Sequence, residues 1–450
     1  MHKGVSQDIF ENLRELIAAE KSEQITMTLR DLHPADIAEI LDELDFDQAI
    51  YIIKLLDSEV TSDILTELDE DVRDKVLRNL SSKEIAEEVD KLETDDAVDI
   101  ISELPESKKA EVISQLEDVE HAKDIVDLLR FNHDTAGGLM GKELVKVNEN
   151  WTNMTCVREM RKQAAEFDRV HTIYVVDDHD VLKGRLSLKS LLTTSTKTPV
   201  KEVYNPNIHL VHIDDSDEDI AIMMQKYDLF VVPVVDELGR LVGQITIDDI
   251  VDVIKDEAEK DYQLAAGLTD DVEADDSVWE LAKARLPWLV LGLFGGMGAA
   301  SIMGEFSSAF TSHPELFLFT PMIAAMGGNV GVQSSAIIVQ SLANGNLKGS
   351  LWSRLVKEVS LSLINALVVS VLIYIFSHLI QGFETQVSIV VALSLTVVII
   401  IAALIGTFVP LLLDKRGIDP ALATGPFITT SNDIFGIFIY FFIAKMMLGF

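Results

Sequence analysis

Long apolar segments fill the last third of the chain, separated by short polar ones. A helix that crosses a bilayer needs roughly 20 mostly apolar residues, and five segments are that long. We predict spans at about 286–310, 315–343, 358–381, 387–413 and 421–448. A large buried helical core is the alternative. Apolar runs as long as 387–404 favour a membrane domain, which we place at 281–450.

Basic residues occur in alternate connections between these spans. The connections at 311–314 and 381–386 contain no Lys or Arg. Because positively charged loops stay in the cytoplasm, we expect a multi-pass protein of the plasma (inner) membrane with a cytoplasmic N-terminal region. Five spans then place Phe450 outside. The basic residues that give this orientation are Lys283, Arg285, Lys348, Arg354, Lys357, Lys415 and Arg416.

A different pattern lies ahead of the membrane domain, where leucine recurs every 12 positions from residue 32 to residue 128. Apolar residues between the leucines keep helical spacing, so each repeat predicts one short helix and a turn. Such units bury their faces only by stacking. We therefore predict an acidic α-solenoid over 1–132. The repeated leucines are Leu32, Leu44, Leu56, Leu68, Leu80, Leu92, Leu104, Leu116 and Leu128.

A second repeat has a spacing of 59 residues, because 174–192 aligns without gaps on 233–251. Each copy reads as a strand, a turn, a second strand and a helix, which predicts α/β structure. The arrangement resembles a tandem pair of CBS domains, at 133–199 and 200–254. The resemblance implies a regulatory module that often binds adenine nucleotides.

The ribose contact of such a module is an Asp three residues after a Ser or Thr. The second copy has Thr246 and Asp249, whereas the first copy has Ser187 and Ser190. ATP is therefore a candidate ligand, but the missing carboxylate argues against strong binding. The alternative is a dimerising scaffold that holds no nucleotide.

Charge divides the chain in the same way as hydrophobicity. The formal net charge is −37, and 67 of the 74 acidic residues precede residue 281. This excludes a nucleic-acid-binding protein, which needs clustered Lys and Arg, and it favours cations as partners. A single cysteine, Cys156, excludes an intrachain disulfide and a cysteine zinc site. Because HExxH, GxSxG and P-loop motifs are absent, we predict no enzyme activity.

Acidic residues form a stripe directly ahead of the membrane domain. Asp249, Asp252, Asp256 and Glu259 follow helical spacing, so they share one face of a helix that continues into a connecting helix at 255–280. Like charges at this spacing destabilise a helix. The stripe is either a solvated surface or a site for divalent cations, which prefer oxygen ligands.

Two predicted spans carry polar residues. Asn329, Gln333 and Gln340 share a face in the second span, and Asp433 lies within the fifth. An Asp at mid-span costs roughly 2.5–3.5 kcal/mol on insertion scales, so it is a functional candidate by default. The glycines of the second span either pack helices together or expose carbonyl groups.

The complete arrangement resembles the MgtE family of bacterial magnesium transporters. Its most specific motifs are GGNVGVQ at 327–333 and DPA with GPFITTSND within 419–433. The resemblance implies a homodimeric, channel-like Mg²⁺ conductor whose pore is lined by the second and fifth spans. Asp433 would be the central ion site, with Asn329 and Gly328 as auxiliary ligands and Asp419 at the cytoplasmic mouth.

The resemblance also implies closure of the pore by cytosolic Mg²⁺. The regulatory ions would lie between acidic residues of the N domain and of the CBS region. By position these are Asp95, Asp96, Asp99, Asp228, Asp249, Asp252, Glu257 and Asp261. Two alternatives remain open: a carrier of another divalent ion such as Co²⁺ or Mn²⁺, and a membrane metal sensor that transports nothing.

Overall fold

The fold is known from a computed structural model. It describes residues 7–165, 167, 169–269, 272, 276–343, 347, 349–423 and 425–450. The chain divides into two compact units, Met1–Lys255 and Asp256–Phe450. The basic loop residue Lys348 and parts of the predicted connecting helix lie outside the described residues.

The first unit begins with short helices at the predicted 12-residue repeat. Helix α1 packs on α2, and most later helices pack mainly on the next but one: α3 on α5, α5 on α7, α7 on α9, and likewise α4 on α6 and α8 on α10. Their bounds are α1 Gln7–Ala18, α2 Ser22–Leu29, α3 Pro34–Asp42, α4 Phe46–Ile53, α5 Ser58–Glu67, α6 Glu70–Asn79, α7 Ser82–Val89, α8 Thr94–Glu103, α9 Glu106–Ile113 and α10 Val119–Leu128.

The repeated leucines bury themselves at the helix ends. Leu68, Leu80 and Leu104 each follow a helix directly and are at most 5% exposed. Polar caps start several repeats: Ser81 forms a capping box with Glu84, which satisfies two backbone N–H groups at the start of α7. The predicted α-solenoid is confirmed.

The CBS pair contains two three-stranded sheets of the same topology. In each sheet the first strand is parallel to the second, and the second is antiparallel to the third. The strands are β1 Val145–Asn148, β2 Ile173–Val176, β3 Leu182–Leu186, β4 Val211–His212, β5 Val231–Val235 and β6 Leu241–Thr246. The helices are α11 Ala136–Leu139, α12 Asn153–Gln163, α13 Leu188–Thr193, α14 Asp217–Tyr227 and α15 Ile247–Ala266.

Gln244 ties the two CBS copies together. Its side-chain Oε1 accepts a hydrogen bond from the Tyr174 hydroxyl at 3.1 Å, and its Nε2 donates to the carbonyl of Glu143 at 2.7 Å. Its backbone pairs with Gly141. These bonds fix the segment that contains Glu143.

Five helices of the second unit are long and apolar enough to cross a membrane, judged on the described residues. The spans are Val278–Glu305, Leu316–Ala343, Leu351–Ile380, Thr385–Asp414 and Gly425–Leu448. The helices are α16 Val278–Glu305, α17 Ser308–Ser312, α18 Thr320–Ala343, α19 Leu351–Ile375, α20 Thr385–Asp414 and α21 Gly425–Leu448. Helix α20 packs on α18, α19 and α21.

The first and third spans begin earlier than the sequence predicts. Ser277 caps α16 and Ser350 caps α19, so Lys283, Arg354 and Lys357 lie inside the helices instead of the connections. Hydropathy placed these boundaries too late because it penalises charge. Long basic side chains near a helix end can reach the membrane surface.

Candidate metal sites

A cluster of carboxylates forms in the first unit where α8 begins. Glu93, Asp95 and Glu143 each offer an oxygen, and these oxygens all lie within 4.8 Å of one another. Thr94 orients Glu143, because its backbone N–H and its hydroxyl donate to the two carboxylate oxygens at 3.0 and 2.9 Å. The start of a helix also favours negative charge.

Asp249, in the first turn of α15, is the carboxylate that the second CBS copy contributes to the cluster. Its Oδ2 accepts hydrogen bonds from the Thr246 hydroxyl at 2.7 Å and from the Thr246 backbone N–H at 3.2 Å. Its charge acts on both Asp95 and Asp96. The carboxylate at the ribose position of the second CBS copy is thus engaged with the N domain.

Burial and mutual repulsion make these carboxyls hard to ionise. Burial, followed by the charge of Asp249, raises the pKa of Asp96 to about 7. Burial and the charge of Glu143 raise the pKa of Glu93 to about 7. The pKa of Asp95 lies well above its usual value for the same reasons, and burial raises the pKa of Asp249 to about 6. Oxygen-rich, negatively charged surroundings of this kind suit Mg²⁺.

Asp99 and Asp252 lie at the edge of this cluster. The Asp99 side chain is 64% exposed, and its Oδ1 lies 3.9 Å from His133 Nδ1. Asp252 is exposed and close enough for its charge to act on Asp99. Asp228 is exposed at the end of α14, where it takes a left-handed conformation with φ of 51°. Five of the predicted residues are therefore near one another: Asp95, Asp96, Asp99, Asp249 and Asp252.

Three acids that no sequence motif singles out also act within the cluster: Glu93, Glu143 and Asp248. Glu93 and Asp248 adjoin selected acids, so their positions carried a signal. Glu143 had none, because it reaches the cluster through the pairing of Gly141 with Gln244.

A second group of acids lies in the second unit, where the end of α15 meets the start of α21. Burial, followed by the charge of Asp419 and then of Glu257, raises the pKa of Asp261. Asp419 Oδ1 accepts a hydrogen bond from the backbone N–H of Ala421 at 2.7 Å. Contact is close here, since a Cβ on Gly267 would lie 2.5 Å from Pro426 Cγ. Asp261, Asp419 and Glu257 are thus close to one another, a grouping that the sequence did not predict, because it placed Glu257 and Asp261 opposite the N-domain acids.

The polar residues of the membrane helices lie on α18 and α21. Asp433 is half-buried on α21, and Asn329 is exposed on α18 in the single chain. Gly328 is buried, and a Cβ placed on it would lie 3.4 Å from Thr429 Cγ2 of α21. Gly328 thus allows these two helices to approach closely.

A chain with five candidate membrane spans, carboxylate clusters in the described residues outside those spans and a carboxylate within the fifth span fits the class of divalent-cation-handling membrane proteins. Comparison with known proteins agrees. A family model described as "Divalent cation transporter" matches residues 320–443. The model "MgtE intracellular N domain" matches 32–134, and the CBS domain model matches 136–196 and 200–256.

Relatives match most of the chain. It is 33% identical to "Magnesium transporter MgtE" of Thermus thermophilus over 97% of this chain and 98% of the relative. It is 36% identical to the Enterococcus faecalis protein of the same name over 73% and 72%. A solved structure, "cytosolic domain of the Mg2+ channel MgtE in complex with ATP", matches with a TM-score of 0.51 and 32% identity, covering 54% of this chain and 99% of that one. The chain belongs to the MgtE family of magnesium transporters.

We predict that Mg²⁺ stabilises a fragment of residues 1–270 more at pH 8 than at pH 6. A carboxyl with a pKa of about 7 is mostly protonated at pH 6, so competition by protons lowers the ion affinity about tenfold per ligand. Without Mg²⁺ the pH dependence of the fragment's stability has the opposite sign. The folded state keeps protons up to about pH 7 that an unfolded Glu loses near 4.5, so stability falls as pH rises between these values.

Thermal unfolding with and without Mg²⁺ measures both effects, because an ion that binds only the folded state stabilises it. Glu93→Gln with Asp96→Asn should reduce the pH dependence. Glu11→Gln with Glu120→Gln, at exposed positions outside the cluster, is the matched control. An equal Mg²⁺ stabilisation at both pH values would contradict the cluster as an ion site.

Proposed function

We propose that this chain conducts Mg²⁺ across the membrane as a homodimer, with Asp433 as the central ion site. The observation that carries the proposal is the carboxylate of Asp433, the only acidic residue of α21 and half-buried at its middle. Keeping a carboxylate at that depth is costly, which favours a role in an ion path.

The exposure of polar residues on the membrane helices supports the proposed homodimer. Asn329 and Asp433 are both at least partly exposed in the single chain, so a second copy of α18 and α21 is needed to enclose an ion path between protein walls. Mg²⁺ releases its waters reluctantly and takes one or two carboxylates. One Asp433 from each protomer, with Asn329 and the carbonyl group of Gly328 nearby, suits a hydrated ion.

Regulation is proposed to arise from the two acidic groups outside the bilayer. With Mg²⁺ bound, the carboxylates of Asp95, Asp96 and Asp249 are bridged instead of repelling one another. Asp261, near the end of α15, and Asp419 form the group next to the start of α21. An ion bound there would hold the end of α15 against α21. A closed state that binds Mg²⁺ better than the open state is favoured when cytosolic Mg²⁺ rises. Asp99, Asp252, Asp228 and Glu257 are proposed as further acids of this sensor.

The orientation is proposed from the connection charges: the first unit in the cytoplasm and Phe450 outside. Transport of Co²⁺ or Mn²⁺ and a sensor without transport are the competing functions. Membership in a family of magnesium transporters favours Mg²⁺ conduction over both.

Asp433→Ala should lower Mg²⁺ flux by at least about tenfold while the protein remains folded, because the ion loses its central charged ligand. The measurement is liposome flux with a Mg²⁺-sensitive dye, repeated with Co²⁺ and Mn²⁺ in excess Mg²⁺. Asp414→Asn, at the exposed end of α20, is the control and should keep normal flux. Wild-type flux from a folded Asp433→Ala protein would reject Asp433 as the ion site.

Removal of residues 1–130 should leave a conductor that closes less completely in high cytosolic Mg²⁺. The truncation removes Glu93, Asp95 and Asp96 and therefore one side of the first cluster. The closed state then binds Mg²⁺ with less advantage over the open state. Asp249→Asn with Asp252→Asn should act in the same direction but more weakly, and Glu237→Gln at an exposed turn should have no effect.

Open probability in patches, measured against Mg²⁺ on the cytoplasmic face, tests this. If the truncated protein closes at the same Mg²⁺ concentration as the full chain, the solenoid is not part of the sensor.

A nucleotide is a second proposed ligand, supported by a cavity of about 570 Å³ in the first CBS copy. Arg185, His171 and Ser187 line it and suit phosphate and hydroxyl groups. Ser190 stands where a ribose carboxylate would, and the described lining residues include no acid. ATP fits this site in part, and we propose that it binds weakly.

Ser190→Asp should therefore raise the affinity for ATP about tenfold, since a hydrogen bond to a charged group contributes about 1.5–3 kcal/mol. Isothermal titration of residues 1–270 measures it, with Thr196→Asp at an exposed position as the control. Unchanged ATP affinity in the Ser190→Asp fragment would contradict this placement of the nucleotide.

A further inference from the structure

Asn432 is a buried amide in α21, one residue before Asp433. Its side chain is 2% exposed, and neither Oδ1 nor Nδ2 has a hydrogen-bond partner among the described residues. An unpaired amide is unfavourable in any protein interior and more so at membrane depth. A polar side chain kept under these conditions calls for a specific role.

The amide lies in a groove on α18 that two glycines leave open. A Cβ on Gly331 would overlap Asn432 Nδ2 and would lie 2.7 Å from Ile428 Cγ2. One turn earlier, a Cβ on Gly327 would lie 3.8 Å from Asn432 Cβ. Asn432 therefore occupies the space that side chains at these glycines would fill, and its flat, short amide suits a narrow groove.

Helix α18 cannot move away from this contact, because α20 supports it from another side. A Cβ on Gly406 of α20 would overlap the carbonyl oxygen of Gly331. Gly331 is thus the point where α18, α20 and α21 meet. On α21 itself, successive side chains are about 100° apart around the helix, so seating Asn432 in the groove also sets the direction of Asp433.

We propose that Asn432 is a positioning residue for Asp433: its contact with Gly331 fixes the rotation of α21 and thereby the direction in which Asp433 faces the ion path. This inference rests on the proposed function, because it assigns a consequence to the orientation of Asp433. Shortening Asn432, or adding a methyl group at Gly331, disturbs the same contact.

The test compares Asn432→Ala, Gly331→Ala and the double variant as full-length protein in liposomes. The readout is the ratio of Mg²⁺ to Na⁺ flux per folded protein. A purely structural role would lower the folded amount and leave this ratio unchanged. We expect each single variant to lower the Mg²⁺-to-Na⁺ flux ratio about tenfold. The double variant should lower it by less than the product of the two single effects, since both act through one contact. Gly292→Ala, where a Cβ has open space, should keep the ratio.

A second measurement reports orientation without transport. In a Cys156→Ser background, Asp433→Cys should react with a charged thiol reagent at a rate that changes severalfold when Asn432→Ser is added. An unchanged thiol rate and an unchanged flux ratio would overturn the inference.

Asp433→Ala separates the positioning role of Asn432 from the proposed function of Asp433. If it abolishes Mg²⁺ flux while Asn432→Ala leaves the ratio intact, only the positioning role fails. If Asp433→Ala conducts normally, the proposed function fails and this inference with it.

Discussion

Repulsion between carboxylates held close together is the interaction on which the proposed regulation depends. Asp95, Asp96 and Asp249 share a partly buried site, where the charge of Asp249 adds to burial in raising the pKa of both Asp95 and Asp96. Such a site is stable when protons or a cation neutralise the carboxylates, and it is unstable when neither is bound. Because a divalent cation offsets the same repulsion as protons do, the proposed function makes this site the place where ion concentration controls contact between the N domain and the CBS pair.

In the second unit, the apolar membrane helices need specific contacts to adopt a single packed arrangement. Lipid provides no hydrophobic driving force between helices, so close packing has to do so. Gly331 and Gly406 remove side chains where α18, α20 and α21 meet, and Gly328 does so between α18 and α21. Gly328, which the resemblance associates with an ion ligand, is therefore needed for close packing as well, and its carbonyl ligand remains a proposed additional role.

Periodicity made most of the fold predictable. The 12-residue leucine repeat and the 59-residue CBS repeat each encode a local unit that recurs, and burial of Leu68, Leu80 and Leu104 follows from spacing alone. The start of α19 was not predictable in this way, because Arg354 and Lys357 lie within a helix whose start hydropathy places after them. Glu143 could not be predicted either. Its place in the cluster depends on a hydrogen bond to Gln244, 101 residues away, and a single sequence does not record such a contact.

Helix α15 carries acids of both groups, which bears on how sensing could reach the pore. Asp249 lies in its first turn beside the N domain, and Asp261 lies near its end beside Asp419. A helix transmits displacement along its axis with little internal bending, because every backbone group within it is hydrogen-bonded. On the proposed function, an ion beside Asp249 would order the first turn of this helix, and an ion beside Asp261 would order its last turns. The two proposed sites should then bind Mg²⁺ cooperatively, since each lowers the ordering cost of the other.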